Sequence, residues 1–108
     1  MKLLIAIVQN QDAGKVTHAL NNEGFTVTKL ASTGGFLRAG NTTLLMGVED
    51  KKVEEVLNII ESQSRSRKKV ITSDTTMVSG SIMTPTATEV NVGGATVFLM
   101  DVEDYRKF

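Results

Sequence analysis

Six consecutive apolar residues, Leu3-Leu4-Ile5-Ala6-Ile7-Val8, stand near the start of the sequence and lead into Gln9-Asn10-Gln11-Asp12. A run that is apolar at every position, and rich in β-branched side chains, leaves no face for water. It predicts a central strand covered on at least one side. The run has no small-residue cleavage site after it and is far too short to span a membrane, so it reads as a buried strand of a cytoplasmic protein rather than a signal peptide.

The following residues supply what would cover such a strand. Asp12 is placed to cap a helix in which Val16, Ala19 and Leu20 recur at helical spacing until Asn21-Asn22-Glu23-Gly24, where the glycine suits a helix C-terminus. Residues 25–30 and 42–48 have strand character and predict a hairpin whose connection is longer than a tight turn needs. Asp50 can cap a second helix with Val53, Val56, Leu57 and Ile60 on one stripe and Lys51, Lys52, Glu54 and Glu55 in water. The basic run Arg65-Ser66-Arg67-Lys68-Lys69 then reads as a solvated end to that helix, facing the negative pole of its dipole.

From Ser62 to Thr88, 12 of 27 residues are Ser or Thr, so a long flexible loop is expected at about 65–88. Residues 89–100, EVNVGGATVFLM, predict a last long strand interrupted at Gly93-Gly94. The resulting order is β-α-β-β-α-β in one domain over residues 1–108. The fold class is α+β, a ferredoxin-like sandwich with two helices on one face of an antiparallel sheet. Its other face would be apolar and open, which predicts a homo-oligomer.

Charge and composition narrow the function classes. Twelve Lys and Arg balance twelve Asp and Glu, which disfavours generic binding of a nucleic-acid polymer or a membrane surface. Cysteine is absent, so thiol catalysis, thiolate metal sites and disulfides are excluded. His18, the single histidine, lies mid-helix with no nucleophile or metal-ligand partner at a diagnostic spacing and reads as a surface residue. Neither glycine pair matches a P-loop or a dinucleotide fingerprint. No catalytic or metal-binding residues are assigned, and no cofactor is expected.

What remains is a pattern of backbone donors beside an aromatic ring. Around Gly34-Gly35-Phe36-Leu37, glycines allow successive N–H groups to converge on an anion, and Phe36 can cover a planar heterocycle. A weaker version surrounds Gly93-Gly94 ahead of Phe98. Thr26, Thr28, Thr33, Thr42, Thr43 and Asn41 supply hydroxyl and amide partners for base edges or phosphate oxygens. On these residues alone, a nucleotide pocket and a simple turn with Phe36-Leu37 at a subunit contact stand side by side.

At VTKLASTGGFLRAGNTTLLMGVED, and again at VNVGGATVFLM, the sequence resembles the PII-like cyclic-di-AMP receptor family, and the likeness extends along the whole chain. That resemblance implies a homotrimer without catalytic activity, holding one cyclic dinucleotide in each cleft between subunits and signalling through loop ordering to an unknown protein target. Carried onto matching positions, Thr28 and Asn41 would hydrogen-bond the ligand. Gly35, Phe36 and Leu37 would wall the pocket, Gly47 would allow close approach, and Phe98 would add a ring near the neighbouring subunit. Thr26 stands where the family often has arginine, and Arg106-Lys107-Phe108 replaces a common C-terminal HQF. Those two departures leave a PII-like protein binding ATP or another adenine nucleotide as the alternative.

Overall fold

The computed structural model describes residues 1–30, 40–72 and 87–108. Strand β1, Lys2–Gln9, runs between β3, Asn41–Val48, and β6, Ala95–Asp101, antiparallel to both. The short strand β2, Thr28–Leu30, completes a four-stranded sheet in the order β2-β3-β1-β6. Helices α1, Asn10–Asn22, and α2, Val53–Ser64, pack on one face of it. This α+β arrangement is compatible with the ferredoxin-like one expected.

The core explains why the apolar run sits where it does. Leu4, Ala6 and Val8 of β1, with Leu44, Met46 and Val48 of β3, meet Ala13, Val16 and Leu20 of α1 and Val53, Val56 and Ile60 of α2. Leu3, Ile5 and Ile7 alternate to the opposite face and are only half-buried. At the end of α1, Gly24 adopts φ +87°, and the N–H of Phe25 returns to the Leu20 carbonyl at 3.0 Å. A left-handed residue closing a helix in this way satisfies carbonyls that the last turn leaves free.

Several expectations are corrected. Pairing in β2 begins only at Thr28, because Phe25 and Val27 turn instead to pack beside the core. Lys52 Nζ stands 5.8 Å from the centroid of the Phe25 ring. Asp50 does not cap α2 with its side chain; residues 50–52 form a separate 3-10 turn, and the Asp50 carboxylate receives the Met1 ammonium at 2.8 Å. Nor is Asp12 a cap. It lies inside the first turn of α1 and is fully buried.

The largest correction concerns residues 65–100. Arg67–Thr72 forms β4 and Ala87–Val92 forms β5, paired antiparallel as a two-stranded sheet of their own. Part of the expected loop is therefore a β arm; residues 73–86 lie outside the described residues. The single last strand expected over residues 89–100 is two strands in two different sheets. Gly93 and Gly94, at φ +83° and +89°, make the break. A side chain at 93 would also stand 2.5 Å from the Arg65 carbonyl oxygen and 2.6 Å from Arg67 Nη1, so only glycine fits.

Candidate functional site

Pleating decides which side chains share the open face. Residues directly opposite in an antiparallel ladder point to the same side, so registry alone assigns them. Thr28, Leu45, Ile5 and Phe98 form one row across all four strands. Gly47, Leu3 and Met100 form the next, and Asn41 lies beside Gln9 toward the far end of β1. Thr28, Asn41, Gly47 and Phe98, the four expected ligand residues within the described part of the chain, thus all lie on the face away from the helices. Gly35, Phe36 and Leu37 lie outside the described residues.

One subunit brings only some of these together. Thr28 and Gly47 line a hollow of about 220 Å³, shared with Leu3, Thr26, Leu45 and Tyr105. Whole pockets for small molecules usually measure about 300–1,000 Å³, so this hollow suits one part of a ligand. Phe98 is three strand spacings from Thr28, roughly 14 Å, and is 53% exposed on the edge strand. Asn41 is at the opposite end of β3 from Gly47. A complete site made from all of these residues therefore requires a second surface.

The chemistry of the face is uniform. Its rows hold Thr28, Thr43 and Thr96 hydroxyls, the Asn41 and Gln9 amides, and an apolar floor of Leu3, Ile5, Ile7 and Leu45. No ionisable side chain occurs in these rows; Tyr105 stands at the rim of the hollow. Such a surface can stack and hydrogen-bond a planar heterocycle without proton transfer. Thr43 Oγ1 is buried and has no hydrogen-bond partner among the described residues. Thr42, by contrast, faces the helices and donates to Asn10 Oδ1, which removes it from the expected ligand hydroxyls.

Tyr105 was not among the expected site residues. The only signal for it is that the single tyrosine of the chain falls in a mostly charged tail. Charged groups lie elsewhere. Lys2 pairs with Asp101 across the β1–β6 ladder on the helix side, and that hydrogen bond, followed by charge attraction, raises the ammonium above its usual value. Arg67 grips Asp12 at the root of the β4–β5 arm. The same order of causes raises its guanidinium further, with desolvation opposing. The basic run is therefore not simply a solvated helix end.

An open, uncharged sheet face with one shallow hollow defines a small ligand-binding domain. Comparison with known proteins places it more narrowly. The family model described as "Cyclic-di-AMP receptor" matches residues 1–108. The crystal structure of a functionally unknown protein from Pediococcus pentosaceus ATCC 25745 superposes with a TM-score of 0.79 at 38% sequence identity, covering 99% of this chain and 96% of that one. The chain belongs to the cyclic-di-AMP receptor family, the PII-like receptors. Among the described residues no helix is long and apolar enough to cross a membrane.

Proposed function

We propose that this protein is a cytoplasmic signal-transduction receptor that binds cyclic-di-AMP in the clefts between subunits of a homotrimer and relays occupancy, through loop ordering, to a protein target. The carrying observation is the division of the expected site. Thr28 and Gly47 share a hollow, whereas Phe98 is exposed roughly 14 Å away on the other sheet edge. Closing one subunit's sheet face against another's would cover the apolar rows and bring a distant ring to the hollow. Gly35, Phe36 and Leu37, through their family positions, would supply the remaining wall.

Thr26 lines the hollow where a cation would otherwise be available to phosphate. Backbone donors can hold a small dianion without that cation, whereas a linear triphosphate asks for more positive charge than the open face offers. The face therefore favours the cyclic dinucleotide over ATP. Titration calorimetry with cyclic-di-AMP, cyclic-di-GMP and ATP, beside light scattering for mass, tests the reading. Saturable heat with cyclic-di-AMP alone and a trimer mass are expected. Absence of both heat and thermal shift with cyclic-di-AMP overturns it, and tighter binding of ATP replaces it with the adenine-nucleotide alternative.

A further inference from the structure

Within the four residues Gln9 to Asp12, three side chains or amides reach two different parts of the molecule. On one side the N–H of Asn10 donates to the Gly40 carbonyl at 2.8 Å, and Asn10 Oδ1 accepts from Thr42 Oγ1. These contacts fasten the start of β3 on either side of Asn41. On the other side the Gly93 N–H donates to Gln9 Oε1 at 2.7 Å. Arg67 takes both oxygens of Asp12, at 2.8 and 3.3 Å.

The two ends of the β4–β5 arm are also tied to each other. The Gly94 N–H donates to the Ser64 carbonyl, and Arg67 Nη1 donates to the Arg65 carbonyl at 3.1 Å. Gly93 packs against Arg65 and Arg67 so closely that a Cβ has no room. Beyond this root, Lys68 through Val70 are exposed. Asp12 is the one charged residue fully buried in the core region of the described chain. An apolar residue there would avoid the desolvation cost of the charge. What an apolar contact cannot supply is the fixed orientation of a bidentate guanidinium–carboxylate pair.

We propose that Asp12 is a positioning residue, which through Arg67 sets the orientation of the β4–β5 arm from the same helical turn that holds Gly40 and Thr42 on either side of Asn41, so that the Gln9–Asp12 turn couples that expected ligand residue to the arm. The ligand part of this statement rests on the cyclic-di-AMP reading above. The physical basis is a shared rigid element: a turn of helix that moves on one side must carry the contacts on its other side. A ligand that favours one placement of Asn41 then favours one placement of the arm.

Hydrogen exchange read by mass spectrometry on the full chain, with and without cyclic-di-AMP, tests the coupling. In the wild type, ligand slows exchange in residues 67–72 and 87–92. In Asp12→Asn the protein still binds by calorimetry, but the ligand-induced slowing in the arm falls by at least about fivefold. Arg67→Lys, which keeps the charge and loses the fork, gives partial coupling. Gly93→Ala, which crowds Arg67 without altering the buried carboxylate, repeats the loss and serves if Asp12→Asn fails to fold. Wild-type slowing that persists in full in these variants overturns the proposal. If the wild type binds no cyclic-di-AMP, the ligand reading falls separately. The positioning role then stands on the ligand-free proteins: Gly93→Ala must speed exchange in the arm and at residues 40–42 together, and faster exchange in the arm alone overturns it.

Discussion

The two faces of the main sheet are made from the same strands and nearly the same side chains, yet they end in different states. In β1, Leu4, Ala6 and Val8 are almost completely buried by the helices, whereas Leu3, Ile5 and Ile7, equally apolar, are only half-buried. Along β1 and β3 the helix face is covered within one subunit, leaving Leu99 of the edge strand exposed. The open face has the composition of a core without its cover, and its rows end in exposed Phe98 and Met100. Apolar strands therefore report two kinds of burial here, one intramolecular and one that association would complete.

Substitutions on either face break this comparison in different ways. The largest loss of stability is expected from Leu44→Ala on the helix face. It leaves a cavity in a closed core and lowers unfolding free energy by about 3 kcal/mol in urea titration. Ile5→Glu, on the open face, should leave far-ultraviolet circular dichroism intact but shift the mass by light scattering to that of one subunit, because a carboxylate cannot be desolvated at an apolar contact. An intact oligomer in this variant would show that the face is not the one used.

Smaller effects sharpen the role of the ligand edge. Phe36→Ala should weaken cyclic-di-AMP by roughly 5- to 150-fold, the worth of about 1–3 kcal/mol for a stacked base, while leaving the oligomer in place. Dissociation of the oligomer would return Phe36 to a packing role. Thr28→Val removes one hydrogen-bonding hydroxyl beside the hollow and should cost about tenfold or less in calorimetric affinity.

The smallest change concerns the helix-side ladder. The folded-state ammonium of Lys2 is raised above its ordinary 10.5, so the stability from its pair with Asp101 is fully present below that value and is lost as pH rises through the folded one. Asp101→Asn should flatten this alkaline slope and leave melting curves near pH 5 to 7 little changed. An unchanged alkaline slope would show that this exposed pair contributes nothing measurable.

Much of this was readable from spacing. The 3.6-residue recurrence of Val53, Val56 and Ile60, and the apolar run of β1, identify their elements because burial acts on side chains one at a time. Asp12 was misread because an acidic residue at the start of a helix looks the same whether it caps the backbone or meets an arginine 55 positions away. Arg67 was hidden for a related reason, inside a basic run whose other members face solvent. Gly93-Gly94 was visible as an interruption, but alternation on both sides gives no sign that the flanking strands join different sheets. The likeness to the receptor family supplied site positions that no periodicity could, while the registry that puts Thr28, Asn41, Gly47 and Phe98 on one face needed the structure. Tyr105, a lone tyrosine in a mostly charged tail, belongs to no periodic pattern.

The placement of β6 has a consequence for how the molecule is made. β1 is made well before β6, one of its two partners, and Lys2 meets Asp101 across 99 positions of chain. Until β6 is available, one edge of that apolar strand stays unpaired while the intervening segments are produced. Native closure must therefore await synthesis of β6, a long-range step of the kind that slows folding and prolongs exposure to chaperones and to aggregation.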